Sequence, residues 1–259
     1  MQCIESRCSK GQYQWQQGES SNYTHPVDVQ LFADVPLFRL LGNVNGKRIL
    51  DIGCGNGYLL RKLQKEGACL TGIDVSEAMV LEARKLEEVN SVTTLCIASA
   101  DYLPFPTSFY DVAICSLTIN NFSSTDMVKR AFREAARILK LGGVFIITMP
   151  HPHTLDSRTR FRWTEWEDGQ SQENLVPGEG FKRQIMGRDG TMISIVNYYW
   201  PKEALINFAT RTGLELDEIV EETASRDEIS QYSGELDPAC ADVPFFLVMR
   251  FIKRSSRGS

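Results

Sequence analysis

Residues 47–63, KRILDIGCGNGYLLRKL, constrain the fold of this chain more than any other segment. An apolar run over residues 49–52 leads into three glycines at alternate positions, Gly53, Gly55 and Gly57, and leucines at helical spacing follow. This order predicts a strand, a tight turn and a helix, because glycine lets the backbone turn sharply and lie against a ligand. The N–H groups at the start of such a helix face the same spot.

An acidic residue follows this turn at an informative distance. Asp74 ends a second apolar run, in GIDVSEAMV, and such an acid can accept hydrogen bonds from both hydroxyls of a ribose. The spacing Asp51-x-Gly53-x-Gly55-x-Gly57 differs from the G-x-G-x-x-G of dinucleotide-binding folds. A nicotinamide-dependent dehydrogenase is therefore the weakest of the functions considered.

Strand-like and helix-like segments alternate along the chain as far as residue 150. Apolar runs predict four further strands near residues 69–73, 91–98, 110–116 and 144–149. Amphipathic segments lie between them, and Ser76 is placed to cap one of these helices. The alternation predicts a parallel sheet with right-handed crossovers.

The pattern changes after residue 150. Fifty residues rich in aromatic and charged side chains follow, and within them FKRQIM and TMISIVNYY flank GRDG, which predicts a β-hairpin. A helix starting at Pro201 and a sixth strand over residues 214–220 come next. Residues 221–243 are acidic and predict a loop before a last strand over residues 244–252.

Charge and composition exclude several classes of protein. The net charge is -5 and the pI is about 5.4, which disfavours binding to phosphate backbones, so we expect no nucleic-acid partner. No run approaches 18 apolar residues, so we expect no membrane span, and the polar N-terminus does not resemble a secretory signal. We expect a monomer or a homodimer.

The seven cysteines are odd in number and include no C-x-x-C pair, so we expect no metal site. Cys69, Cys96 and Cys115 fall in apolar runs and are predicted to be reduced, buried side chains, which favours a cytoplasmic location.

Four segments together resemble the class I S-adenosylmethionine-dependent methyltransferases: LDIGCGNG, GIDVSEAM, YLPFP…FYDVAICSL and AFREAARILKLGGVFIITMPHP. The resemblance implies an α/β fold with helices on both faces of a seven-stranded, mostly parallel sheet of order 3-2-1-4-5-7-6, the last strand antiparallel. It also implies a leader and helical cover at residues 1–40, then a cofactor-binding domain at 41–252. Within that domain, a substrate-covering insertion at 151–200 contains the hairpin. Residues 253–259 are read as a disordered tail or tag remnant.

The family pattern assigns contacts to S-adenosylmethionine residue by residue. It puts Gly53 and Gly55 against the methionine part, Asp51 near the amino group and Asp74 on the ribose hydroxyls. Many relatives hold the adenine amino group with an acid where this chain has Ser99, and Asp101 either compensates or is a surface residue. The expected cofactor-binding residues are Asp51, Gly53, Cys54, Gly55, Asp74, Val75, Met79, Ser99, Ala100, Asp101 and Ser116.

The resemblance implies in-line transfer of a methyl group to an oxygen, nitrogen or carbon of a small-molecule acceptor, with S-adenosylhomocysteine as product. A general base is optional in this chemistry. The candidates are His151 and His153, directly after the fifth strand, which otherwise fix their loop by hydrogen bonds. The expected substrate-binding residues, whose aromatic members can equally be the packing core of the insertion, are Tyr23, Asn120, Asn121, Trp163, Trp166 and Tyr199.

Two alternatives stay open at this point. One is a methyltransferase that acts on a tRNA base or a protein side chain, although the chain lacks an Asn-Pro-Pro-Tyr motif. The other is a non-catalytic module that binds the cofactor as a scaffold or sensor.

Overall fold

The computed structural model describes residues 26–87, 93–152, 164–165, 175–186, 189–236 and 238–255. Seven strands form the central sheet: β1 (Arg48–Ile52), β2 (Cys69–Asp74), β3 (Thr94–Ile97), β4 (Tyr110–Ser116), β5 (Leu139–Pro150), β9 (Leu214–Val220) and β10 (Phe246–Lys253). A second sheet is formed by β6 (Thr164–Glu165), β7 (Gly180–Met186) and β8 (Met192–Tyr198).

The central sheet has the order β3-β2-β1-β4-β5-β10-β9. The first five of these strands run parallel, whereas β10 pairs antiparallel with both β5 and β9. Without the three strands of the second sheet, this is the predicted order 3-2-1-4-5-7-6. The predicted fold class is therefore confirmed.

Alternate residues of the central strands face two separate cores. On β1, Leu50 packs in the core that contains Phe132 of one helical layer, while Ile49 packs in the core that contains Val80 of the other. Burial on both faces explains why consecutive residues of the central strands, such as Ile49 and Leu50, are apolar.

Helices cover both faces of the sheet. They are α1 (Val27–Val29), α2 (Val35–Leu41), α3 (Tyr58–Gln64), α4 (Glu77–Leu86), α5 (Thr125–Ile138), α6 (Lys202–Thr210) and α7 (Arg226–Gln231). Ser76 caps α4 by accepting a hydrogen bond from the N–H of Met79, as predicted. Ser124 caps α5 in the same way through the N–H of Met127.

The predicted helical cover before β1 is present. A π-helical stretch, Gln30–Asp34, joins α1 to α2, and Pro36, which has no N–H to donate, follows near the start of α2. Phe32 of this segment is buried against Phe245 and Phe246 near β10. The cover is thereby packed against the start of β10.

The predicted hairpin is formed by β7 and β8, whose register runs from Gly180↔Tyr198 to Met186↔Met192. It packs with β8 against a 3-10 turn, Ile119–Asn121, which follows β4. At the exit of this segment, the fully buried Trp200 donates its indole N–H to the carbonyl of Phe122 at 3.1 Å. The hairpin therefore lies over the carboxyl end of β4.

Two predictions need correction. Residues 221–243 are not only loop: α7 lies within them, and Ser225 and Glu228 form a capping box at its start. Of the three cysteines predicted to be reduced and buried, Cys115 is a buried free thiol, Cys69 is exposed and Cys96 is disulfide-bonded. Across the described ranges, no helix is long and apolar enough to cross a membrane.

Candidate active site

A cavity of about 470 Å³ lies at the carboxyl ends of the parallel strands. Open α/β sheets bind their ligands at this edge. The predicted site residues that line the cavity are Asp51, Gly53, Cys54, Gly55, Asp74, Val75, Met79, Ala100, Ser116, Asn120 and Asn121. The structure thus brings most of the predicted residues together.

The glycine turn is held against the end of β2. The N–H groups of Gly53 and Cys54 both donate to the carbonyl of Ile73, at 2.7 and 2.8 Å. Gly53 and Gly55 have φ values of +75° and +53°, in the left-handed region that favours glycine. Burial raises the pKa of the Cys54 thiol well above its usual range, so Cys54 contributes backbone and not a thiolate.

Asp74 organises the turn as well as facing the cavity. Its Oδ2 accepts a hydrogen bond from the N–H of Gly55 at 3.0 Å, and its Oδ1 accepts one from the N–H of Ser76 at 2.8 Å. Burial raises the pKa of this carboxyl, and these backbone donors oppose the rise. A carboxylate has about four acceptor sites, so these two bonds leave room for hydroxyl donors from a ligand.

Asp51 carries an unsatisfied charge next to the turn. The residue is 1% exposed, and among the described residues its Oδ2 has no hydrogen-bond partner. Burial, followed by the negative charges of Asp74 and Asp34, raises its pKa to about 7. A cationic ligand group beside Oδ2 would relieve this cost, since a buried carboxylate is stabilised by an opposite charge.

The loop after β3 differs from the prediction. Ala98 and Ala100 line the cavity, but Ser99 and Asp101 are not among the described lining residues. Instead, the Ser99 hydroxyl donates to Oδ1 of Asp101 at 2.5 Å, and Arg130 donates to Oδ2 through Nε and Nη2 at 3.1 and 2.9 Å. Asp101 therefore connects its loop to α5, and the structure gives no support to its predicted cofactor contact or to that of Ser99.

Polar groups after β4 form another wall. Thr118 donates to the carbonyl of Ser116 at 2.9 Å and approaches the carbonyl of Gly53 at 3.3 Å, which connects this turn to the glycine turn. The buried Asn120 has an Oδ1 without a partner among the described residues. Asn121 accepts a hydrogen bond from Nδ2 of Asn197 at 2.9 Å, which joins the wall to β8.

His151, the first candidate base, is not among the described residues that line the cavity. It is 2% exposed, and its Nε2 lies 2.8 Å from Oε1 of Glu221. Since a carboxylate only accepts, Nε2 carries the proton. Lys202 also donates to this oxygen, at 2.7 Å. These contacts give His151 the alternative role, the fixing of its loop.

Four predicted site residues lie outside the described residues: Tyr23, His153, Trp163 and Trp166. Tyr199 is described but does not line the cavity. It packs beside the buried Leu175 and Phe181. Tyr199 therefore belongs to the packing core of the insertion, the alternative role considered for the aromatic residues.

Sequence reasoning missed a group of lining residues from the N-terminal helical cover and from the hairpin. They include Asp28, Gln30, Arg183, Gln184, Ile195 and Asn197. One signal was available: Arg183 follows Phe181 by two residues in a predicted strand, so the strand period assigns both to one face. A charged residue on an apolar face is a candidate for ligand contact.

Comparison with known proteins assigns the central segment. Residues 50–147, from β1 to β5, match a family model described as a methyltransferase domain. The crystal structure of an S-adenosylmethionine dependent methyltransferase from Mesorhizobium loti matches with a TM-score of 0.63 at 24% identity, over 86% of this chain and 99% of that chain. The segment therefore matches a methyltransferase domain, and the chain shares its fold with the S-adenosylmethionine dependent methyltransferase from Mesorhizobium loti.

Two curated relatives match the chain over similar stretches. Demethylmenaquinone methyltransferase from Tropheryma whipplei (strain Twist) is 32% identical over 115 residues, which cover 44% of this chain and 46% of the relative. The tRNA (carboxymethyluridine(34)-5-O)-methyltransferase of Arabidopsis thaliana is 30% identical over 136 residues, which cover 52% of this chain and 31% of the relative. The matches thus span less than half the length of either relative, and they leave the acceptor open.

Proposed function

We propose that this chain, whose residues 50–147 form a methyltransferase domain, transfers a methyl group from S-adenosylmethionine to a small-molecule acceptor. The observation that carries the proposal is Oδ2 of Asp51, which is buried beside the glycine turn without a described hydrogen-bond partner. The cofactor carries an ammonium group, which would supply the missing opposite charge. The carboxylate and the cofactor therefore fit each other chemically.

Other residues of the cavity also fit the cofactor. Gly53 and Gly55 present backbone without a Cβ to the cavity, so a ligand can approach the turn closely. Asp74 retains acceptor capacity beyond its bonds to Gly55 and Ser76, which suits the two hydroxyls of a ribose. Val75 and Met79 supply apolar contact for an adenine ring in the same wall.

Alignment is the main task of such an enzyme. When bound, S-adenosylmethionine supplies an electrophilic methyl group on a positively charged sulfur, which an acceptor atom must approach in line. Holding the acceptor in this geometry can supply about 7–11 kcal/mol of the barrier. Asn120, Asn121 and Asn197 surround the cavity with amide groups that can orient a polar acceptor.

A small acceptor suits the shape of the cavity. Its wall comes from the sheet edge, the helical cover and the hairpin, and a concave site of about 470 Å³ is within the range for small-molecule ligands. The name of the Tropheryma relative, demethylmenaquinone methyltransferase, agrees with an acceptor of this class. We extend the proposal to the chain's organisation: residues 1–40 and 151–200 cover the acceptor, and residues 41–252 hold the cofactor.

Two measurements test the proposal. Calorimetry should detect binding of S-adenosylhomocysteine, and Asp74→Ala should raise its Kd at least tenfold, about 1.4 kcal/mol. Methyl transfer from labelled S-adenosylmethionine to a metabolite extract, in parallel with total tRNA and with a protein extract, then identifies the acceptor class.

The outcomes separate the alternatives. Label in the metabolites supports the proposal, whereas label in tRNA or protein alone overturns the small-molecule part. Binding without transfer to any pool indicates a non-catalytic module. Absence of binding at millimolar S-adenosylhomocysteine would remove the cofactor from the proposal altogether.

A further inference from the structure

Arg183 lies on the buried face of the hairpin, where the strand pattern calls for an apolar residue. Phe181, two positions earlier, and Ile195, its register partner on β8, are both buried. Arg183 is 7% exposed and lines the cavity. Burial of a guanidinium destabilises the folded protein unless other groups hydrogen-bond to it and balance its charge. A buried arginine at this position therefore needs an explanation.

The described residues leave this guanidinium incompletely satisfied. Its Nη1 is buried and has no hydrogen-bond partner among them. Burial lowers the pKa of Arg183, and the charge of Asp28 opposes the lowering. Asp28 uses its own Oδ1 to accept from the N–H of Val29 at 2.9 Å. Arg183 therefore lines the cavity with a guanidinium that the described residues leave incompletely satisfied.

The charges of the cavity wall select among the anions that an arginine binds. The guanidinium fork matches the two oxygens of a carboxylate or of a phosphate. Arg183 is the one lysine or arginine among the described lining residues, whereas four lining residues are acids: Asp28, Asp51, Asp74 and Glu235. A dianionic phosphate would meet more negative than positive charge there. A carboxylate, with a single charge, suits the site.

We propose that Arg183 binds a carboxylate group of the methyl acceptor, which is therefore a carboxylic acid. This inference rests on the proposed function and specifies its acceptor. S-adenosylmethionine also carries a carboxylate, so two sources of the group have to be distinguished. Arg183 belongs to the hairpin, outside residues 50–147 of the methyltransferase domain, and Gln184, Ile195 and Asn197 line the cavity with it. This location favours the acceptor as the source.

The experiment uses the full chain and a metabolite extract divided by anion exchange into an anionic and a non-anionic fraction. Labelled S-adenosylmethionine is the methyl donor. Transfer by the unmodified protein to either fraction supports the proposed function, and transfer to the anionic fraction supports the inference. Arg183→Gln should lower that transfer at least tenfold and leave the Kd for S-adenosylhomocysteine within twofold.

Lys182→Gln is the matched control, because Lys182 is the exposed neighbour on the same strand and the change removes the same charge. It should leave both quantities unchanged. Melting temperatures without ligand distinguish a binding role from a structural one. An arginine kept for binding can be replaced without loss of stability, so Arg183→Gln should melt no lower than the unmodified protein. Arg183→Lys, which keeps the charge but lacks the fork, should transfer at an intermediate rate.

Three results would overturn the inference. The first is an acceptor in the non-anionic fraction, and the second is unchanged transfer by Arg183→Gln. The third is weaker binding of S-adenosylhomocysteine to Arg183→Gln with unchanged binding of 5′-methylthioadenosine, which lacks the carboxylate. That last pattern would assign Arg183 to the cofactor.

Discussion

Gly53 and Thr118 are packed so closely that a Cβ atom on Gly53 would overlap the side chain of Thr118. Gly53 directly follows β1, and Thr118 belongs to the turn after β4, so the contact joins two walls of the cavity. The absence of a side chain at Gly53 thus serves the packing of the protein itself as well as the approach of a ligand.

Gly53→Ala should therefore weaken binding of S-adenosylhomocysteine at least tenfold, because Thr118 must move. Gly46→Ala is the control: Gly46 has a similar φ of +71° but open space around its Cβ position. Both changes should cost about 1–2 kcal/mol of stability through the left-handed backbone. Calorimetry and thermal melting check this, and equal losses of affinity in both variants would contradict the role of Thr118.

Asp51→Asn should stabilise the ligand-free protein at pH 8 while abolishing most of its affinity for S-adenosylhomocysteine. The pKa of Asp51 is raised from 3.8 to about 7 by burial first and by neighbouring acids second. Because its pKa is raised, the Asp51 carboxyl makes its full contribution to stability below pH 3.8, and this contribution is lost as the pH rises through 7.

At pH 8 the variant should therefore gain about 1–2 kcal/mol, and at pH 4 it should gain little. Thermal melting from pH 4 to pH 8 measures the difference. Asp34→Asn is the control, since Asp34 is also buried with a pKa raised to about 6 but does not line the cavity. It should alter the pH profile of stability and change the Kd far less than Asp51→Asn does, since its charge acts on the ligand only through the pKa of Asp51. A loss of stability at pH 8 in Asp51→Asn would count against this account.

Asp101→Ala should leave the Kd for S-adenosylhomocysteine within twofold of the unmodified protein. The carboxylate of Asp101 is occupied by Ser99 and Arg130, so its removal should cost stability, about 1 kcal/mol, rather than affinity. Calorimetry and denaturant unfolding measure the two effects separately. A tenfold loss of affinity would restore Asp101 to the adenine site.

His151→Gln should keep the rate of methyl transfer within threefold and leave its pH profile in place. The side chain of His151 is paired with Glu221, and glutamine can still donate to that carboxylate. Loss of a general base would instead lower the rate by about 10²–10⁴. The rate is measured with the accepting metabolite fraction, and His151→Ala, which leaves no donor, should reduce stability by about 1–3 kcal/mol.

Local signals explain why the cofactor half could be predicted from the sequence. The glycine turn, Asp74 and the apolar run of β4 after Asp111 each reflect a requirement of their own segment: a tight turn, an acid at a strand end, and burial on both faces. Such requirements leave the same pattern wherever they occur. The alternation of strands and helices predicted a parallel sheet, whereas the order of its strands was implied by the resemblance to the class I methyltransferases.

Contacts between distant segments explain what could not be predicted. Asp101 accepts a hydrogen bond from Arg130, which is 29 residues away, and His151 is hydrogen-bonded to Glu221, which is 70 residues away. Nothing in the local sequence distinguishes an acid or a histidine engaged in this manner from one that faces a ligand. Arg183 did carry a local signal, its position on the apolar face of a predicted strand, but its oppositely charged neighbour, Asp28, belongs to the N-terminal cover.

The capping box of α7 is a different case, since its signal was local. Ser225 and Glu228 stand three residues apart, as the motif requires. The acidic composition of residues 221–243 favoured a loop and concealed a helix whose first turn is itself acidic, which the helix dipole favours.

The fixed ends of the insertion have a consequence for the evolution and engineering of such enzymes. Before it, β5 pairs with β10 as far as Pro150, and after it Trp200 is anchored to the carbonyl of Phe122. Residues between these two points can change in length and composition without disturbing a hydrogen bond of the central sheet. Under the proposed function, the hairpin can therefore be exchanged to change the acceptor preference while the site for the methyl donor stays the same.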